Sequence, residues 1–238
     1  MLTIKNLSVT IANKEILKDI SLNFELGKNY CILGQNGSGK SSLAMTIMGN
    51  PKYSIESGVL SIEKKNINDL TPNERAKLGI FLAFQHIPEI KGVKVFEFLR
   101  SIYDAKNGTT TSFLGFKKII EPMIIELNID KEFLRRDLNV GFSGGERRML
   151  EILQLKLLEP KYIFLDEIDS GLDIDAIAST AKILGNINNK KNSLIFITHV
   201  FKIIEHIQID EVVVLEKGLL KAKGDKKLIE KIKKEGFK

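Results

Sequence analysis

An α/β fold built on a mainly parallel sheet, with a helical lobe inserted into it, is predicted by three observations on this 238-residue chain. Short apolar runs alternate with helix-length amphipathic ones through the second half. A glycine-rich loop joins one such apolar run directly to a helix. The apolar period turns purely helical over residues 86–140 before strands resume.

The first third reads as strands separated by turns, at 2–11, 20–26 and 29–33, followed by a helix over 40–48 and a strand over 59–62. Thr71-Pro72-Asn73-Glu74 supplies an N-cap, a proline at the first helical position and a glutamate at the third, so a short helix starts there. Residues 80–84 are strand-like and end at Gln85. Helical periodicity over 95–103 and 116–127, broken by the polar stretch 106–112, defines the lobe. A helix at 144–158, a strand at 162–165, a helix at 174–187, a strand at 193–198 and a strand pair at 211–216 and 219–223 then lead to a terminal helix. The expected organisation is a single domain, with 1–85 and 141–238 as catalytic core and β-subdomain and 86–140 as helical lobe.

A chain this long with 43% hydrophobic residues can bury a sizeable core, which excludes disordered and fibrous classes. No apolar run reaches bilayer-spanning length and the N-terminus starts as a strand, so a cytoplasmic protein without direct membrane insertion is expected. The single cysteine, Cys31, lies in the apolar segment Tyr30-Cys31-Ile32-Leu33 and is expected to be a buried thiol. No metal cluster is held by this chain's own cysteines. The net charge of +6 arises between Lys217 and Lys238, where nine lysines face three carboxylates. These lysines flank Leu228, Ile229 and Ile232, the pattern of a solvated amphipathic helix, so no nucleic-acid partner is expected.

Gly34-Gln35-Asn36-Gly37-Ser38-Gly39-Lys40-Ser41 fits the P-loop pattern and sits between an apolar strand and a helix, the context that pattern requires. Backbone N–H groups of the loop, together with Ser42 on the helix, are placed to meet phosphate oxygens. Lys40 reaches the outer phosphates and Ser41 ligates Mg2+. Tyr162-Ile163-Phe164-Leu165-Asp166-Glu167 is an apolar strand ending in two carboxylates. Alone such a pair is an ordinary strand end; downstream of a P-loop it puts Asp166 in the metal's shell and Glu167 in reach of an attacking water as general base. His199 closes the next apolar strand at the same sheet edge, where it can contact the terminal phosphate. Phe142-Ser143-Gly144-Gly145-Glu146 opens a helix with a serine cap and two glycines, which is a second anion site in one chain.

These residues resemble the ABC ATPase family over essentially the whole chain. The resemblance implies a P-loop NTPase of ABC type, a mixed sheet core with an inserted helical lobe and an N-terminal antiparallel β-subdomain. It implies ATP as nucleotide, with Mg2+, and head-to-tail pairing of two copies in which Ser143, Gly144 and Gly145 of one cap the ATP of the other. Gln85 matches the family's Q-loop glutamine, a metal and water contact; Ser170-Gly171-Leu172-Asp173 matches its D-loop, and His199 its switch histidine. The aromatic that usually stacks on adenine is missing near Ile11.

Several segments are similar to the SufC subfamily in particular. They include Phe84-Gln85-His86-Ile87-Pro88-Glu89-Ile90-Lys91-Gly92-Val93, in which Lys91 replaces a usual proline. Gly141-Phe142-Ser143-Gly144-Gly145-Glu146, the run from Asp166 to Ala176, and the tail from Gly224 to Phe237 add to the likeness. Met149 and Leu150 depart from it. This likeness implies SufB- and SufD-like partners in iron-sulfur cluster assembly, docked in the groove around residues 85–95. The alternative is the ATP-binding subunit of an ABC transporter, with the same chemistry coupled to a membrane subunit. A nucleotide-switched module on nucleic acid or ribosomes would want tandem cassettes or a long coiled coil, and the chain has neither.

Overall fold

The computed structural model describes residues 1–84, 88–168, 174–199 and 201–237. In chain order its first half holds β1 (Leu2–Ile11), β2 (Lys14–Phe24), β3 (Tyr30–Leu33), α1 (Lys40–Met48), β4 (Ser54–Ile62), β5 (Lys65–Asn66), α2 (Pro72–Lys77) and β6 (Ile80–Ala83). Next come β7 (Ile90–Lys94), α3 (Val95–Asn107), α4 (Phe113–Glu126), β8 (Asp137–Leu138) and α5 (Gly144–Leu158). β9 (Tyr162–Asp166), α6 (Ile174–Ile187), β10 (Ser193–Ile197), β11 (Glu211–Glu216), β12 (Leu219–Gly224) and α7 (Lys226–Glu235) complete it.

β1 and β2 form a hairpin because Ala12 and Asn13 both take positive φ, 46° and 64°, as a two-residue turn matching strand twist requires. With β4 and β5 they make an antiparallel sheet in the order β2-β1-β4-β5. β2 starts well before residue 20, where the sequence reading placed it. A bulge at Asp19 (φ 48°) puts Leu17 and Ile20 on the same buried face and hides the two-residue alternation.

The second sheet runs β12-β11-β3-β10-β9-β6, parallel except for the β11–β12 hairpin at its edge. Its buried strands alternate between two cores. Tyr30, Ile32, Tyr162, Phe164, Ile195 and Ile197 pack with α1 and the antiparallel sheet. Cys31, Leu33, Ile163, Leu165, Leu194 and Phe196 pack with α6 and α7. Cys31 is fully buried, as expected.

A third core gathers α3, α4 and α5 around Val95, Leu99, Phe116, Ile120, Leu150 and Leu153. α4 begins before the expected residue 116 because Ser112 caps it, accepting from the Gly115 N–H at 3.1 Å. α3 runs on through Asn107 into the polar stretch expected at 106–112, and the loop that follows is tied by the Asp104 carboxylate, which accepts from Thr109 Oγ1 at 3.0 Å and from the Thr111 N–H at 3.0 Å. Among the described residues no helix is long and apolar enough to cross a membrane.

Candidate functional site

β3 lies between β10 and β11 in the sheet, and the loop leaving its carboxyl end enters α1 in the crevice where the strand order switches. Two glycines there admit no side chain. Gly34 has φ 157°, and a Cβ would sit 2.3 Å from the Leu215 carbonyl oxygen; Gly39 has φ 102°, and a Cβ would sit 2.8 Å from Leu17. The first turn of α1 has no side-chain cap and no acidic residue, so its N–H groups stay open to an anion. Lys40 is buried and folds back over the loop, its Nζ donating to the Gly34 carbonyl at 2.8 Å and the Gln35 carbonyl at 3.1 Å. Burial lowers its pKa, while the nearby Glu167 and Asp166 carboxylates oppose that shift. A cavity of about 320 Å3 opens over these groups, lined by residues 36–42 and Glu167.

Two buried oxygens facing this region have no protein partner among the described residues: Ser38 Oγ and Asp166 Oδ1. Burial raises the Asp166 pKa, opposed by a hydrogen bond from the Ser41 side chain. A buried carboxylate oxygen without a donor is costly unless a cation or ligand completes it. Hard oxygens from one serine and one carboxylate fit Mg2+, which keeps the rest of its shell for waters and phosphate.

Sheet register brings the remaining groups to the same edge. Asp166 is opposite Ile197, and the Thr198 N–H reaches the Ile32 carbonyl at 3.3 Å. Glu167 turns out of β9 in the left-handed region (φ 49°), with its N–H on the Ile197 carbonyl at 2.8 Å. A non-glycine residue held there costs about 1–2 kcal/mol and persists only where its surroundings fix it. Its Oε1 lies 2.7 Å from His199 Nδ1. The arrangement places a carboxylate and a lysine on one cavity, with an imidazole in contact with that carboxylate.

α5 opens as a capping box: the Glu146 N–H donates to Ser143 Oγ at 3.2 Å, and the Ser143 N–H to the Glu146 carboxylate at 2.8 Å. That second bond, with Arg136 alongside, holds the Glu146 carboxyl below its ordinary pKa. Gly144 and Gly145 are exposed, and a Cβ on Gly144 would meet nothing. Ser143, Gly144 and Gly145 do not line the P-loop cavity, so within one chain the start of α5 lies apart from it. Gln85 and the segment Ser170-Gly171-Leu172-Asp173 lie outside the described residues.

A second, larger cavity of about 650 Å3 lies between β6, α3 and α5, walled by Phe81, Phe84, Ile90, Phe98, Ile102 and Leu158; Phe84, Pro88 and Ile90 belong to the stretch from Phe84 to Val93 that the sequence analysis singled out. Asn139 and Glu151 line it as well. Burial pushes the Glu151 carboxyl up to about 7, although Arg148 pairs with it. Beside this cavity Glu89 meets Arg147 of α5 at 3.2 Å. Asn139 carries no local signal, because its bond to the Pro88 carbonyl joins residues far apart in sequence.

Comparison with known proteins fits this geometry. The sequence model of the ABC transporter family matches residues 17–170. A probable ATP-dependent transporter, ycf16, of Antithamnion sp. is 42% identical over 241 residues, spanning 100% of this chain and 96% of that protein. Vegetative protein 296 of Bacillus subtilis (strain 168) is 40% identical over 238 residues, spanning 99% and 91%. Among solved structures, an ATP-binding cassette captured as a dimer in a post-hydrolysis state with ADP and Pi superposes with a TM-score of 0.80 at 20% identity, covering 94% of this chain and 98% of that one. The chain belongs to the ABC transporter family and is an ABC-type ATPase.

Proposed function

We propose that this ATPase drives iron-sulfur cluster assembly on SufB- and SufD-like partners, through ATP-dependent head-to-tail pairing of two copies. The observation that supports the pairing most is that the glycine-rich start of α5, Ser143-Gly144-Gly145, is exposed and lies apart from the P-loop cavity at the start of α1. Two copies facing each other would give each cavity its missing wall, with Ser143, Gly144 and Gly145 on the nucleotide of the partner copy. Asp173 would join that contact.

In each site the residues 34–42 bind the phosphates and Lys40 trades its two loop carbonyls for phosphate oxygens. Ser41, Asp166 and Gln85 would hold Mg2+, which supplies charge neutralisation across the phosphates. Glu167 takes the proton of the attacking water and His199 orients that carboxylate while touching the terminal phosphate. The expected setting is cytoplasmic.

Assembly partners are favoured by the SufC-like segments, and the lone buried Cys31 confines this chain to driving the process rather than holding a cluster. The second reading, a transporter's ATP-binding subunit, is favoured by names among the relatives, including a probable ABC transporter ATP-binding protein of Streptococcus pyogenes that is 41% identical over 239 residues. Co-purification from the native host, with partners identified by mass, tests the choice. Recovery of SufB-like subunits supports the proposal, and recovery of a membrane permease overturns it.

A further inference from the structure

We propose that Gly218, in the turn between β11 and β12, is a positioning residue for ATP binding. From outside the P-loop it holds the Ser38–Gly39 peptide unit in the orientation that turns the Gly39 N–H toward the phosphates. The inference concerns the nucleotide site alone and stands independently of the partner reading above.

Lys217 and Gly218 form a two-residue turn, with φ 49° and 79°, that joins the antiparallel strands β11 and β12. The turn wedges the Gly218 backbone between two other elements. Its N–H donates to the Ser38 carbonyl at 3.0 Å, and its carbonyl accepts from the Lys18 N–H of β2 at 2.8 Å. A Cβ on Gly218 would sit 2.2 Å from the Ile16 carbonyl oxygen, and one on Gly39 would sit 3.6 Å from the Gly218 Cα. No side chain fits at this residue, so β2, the turn and the P-loop meet backbone to backbone.

A trans peptide unit is planar, and its C=O and N–H point in opposite directions. Gly218 holds the Ser38 carbonyl from outside the P-loop cavity, whose lining includes Ser38 and Gly39 but not Gly218. The Gly39 N–H of the same unit therefore points away from the turn. Gly39 is the N-cap residue of α1, and its N–H meets no acceptor among the described residues. An amide held in that direction is ready for a phosphate oxygen and needs no rotation on binding. The restraint matters because Ser38 lies between Gly37 and Gly39, with φ 78° and 102°, where the chain resists rotation of the peptide least. Glu167 and His199 stand beyond the ends of β9 and β10. Loss of the restraint should thus act on nucleotide binding and spare the cleavage step.

The test compares Mg-ATP hydrolysis by the full chain with that of Gly218→Ala and of Gly58→Ala. Gly58 of β4 is the control for strain elsewhere: its φ is 88°, and a Cβ would sit 2.4 Å from the Asn6 carbonyl oxygen. We expect Gly218→Ala to raise KM for ATP at least about tenfold with kcat within about twofold, and Gly58→Ala to lower the melting temperature with KM unchanged. A merely structural loss would reduce the active fraction, and so kcat, and would leave KM as it was. A KM for Gly218→Ala within about twofold of wild type overturns the inference, as does a fall in kcat alone or an equal rise of KM in both variants. A second measurement needs no variant. Coupling is reciprocal, so bound Mg-ADP should slow hydrogen exchange of the wild-type Gly218 amide at least about tenfold more than that of the β4 amides. Equal slowing, or none, overturns the inference whether or not Gly218→Ala folds.

Discussion

The Glu167 carboxylate and the His199 imidazole meet at 2.7 Å across the ends of two adjacent parallel strands, β9 and β10, with Glu167 held in left-handed backbone. The contact fixes the direction in which the carboxylate points. His199→Ala should therefore lower ATP turnover by about 100-fold, the scale of a lost contribution to proton transfer, while leaving ATP affinity within about twofold. Steady-state hydrolysis and equilibrium binding of a fluorescent ATP analogue separate the two effects.

Lys40→Ala should act differently, on binding itself. Its buried ammonium is already desolvated and pulls on loop carbonyls that phosphate oxygens replace. Removing it should weaken nucleotide binding by about tenfold or more. Titration calorimetry with ATP reads this directly, and an unchanged affinity would remove Lys40 from the phosphate site.

Arg75 is a structural keystone. It is 2% exposed, donating to the Thr46 carbonyl at 2.8 Å, Ile47 at 2.9 Å, Leu70 at 2.9 Å and Asn68 at 2.7 Å. Two of these, Thr46 and Ile47, are carbonyls of the last turn of α1, the helix that begins at the P-loop. Arg75→Met should cost about 3 kcal/mol in urea unfolding, since two buried and two part-buried carbonyls lose a charged donor. Catalysis would fall only as far as the folded fraction does.

Glu151 gives a pH signature. Its folded pKa, about 7, stands above the ordinary value of 4.5. The folded state thus binds the proton more tightly than the unfolded chain, and this stabilising contribution is full below about pH 4.5 and is lost as pH rises toward 7. Glu151→Gln should remove that loss and flatten the pH dependence between about pH 4.5 and 7, while leaving Arg148 without its carboxylate. Urea melts at several pH values check the slope.

How far the sequence foretold this structure depended on whether a feature is local. Residues 34–42, Asp166 and Glu167 are contiguous motifs at strand ends, and strand alternation around Tyr162 and Leu194 was enough to align them at one edge. Ser143 and Glu146 announce their helix start in four consecutive residues. Arg75 and Asn139 were invisible because they reach remote partners, Thr46 and Pro88, and the burial that raises the Glu151 pKa has no local signature either. β2 was shortened by reading, because the bulge at Asp19 breaks the period that reading relies on. Of the larger cavity's lining the sequence analysis pointed only to the stretch from Phe84 to Val93, because the rest is a gap between a sheet edge and a lobe.

The central claim is that two copies close over ATP and Glu167 then cleaves it. The most direct measurement is light scattering of the Glu167→Gln variant with Mg-ATP and with Mg-ADP. The account predicts a stable dimer holding two ATP in the first case, a monomer in the second, and no phosphate release. A variant that stays monomeric with bound ATP, or that turns ATP over at the wild-type rate, would contradict it.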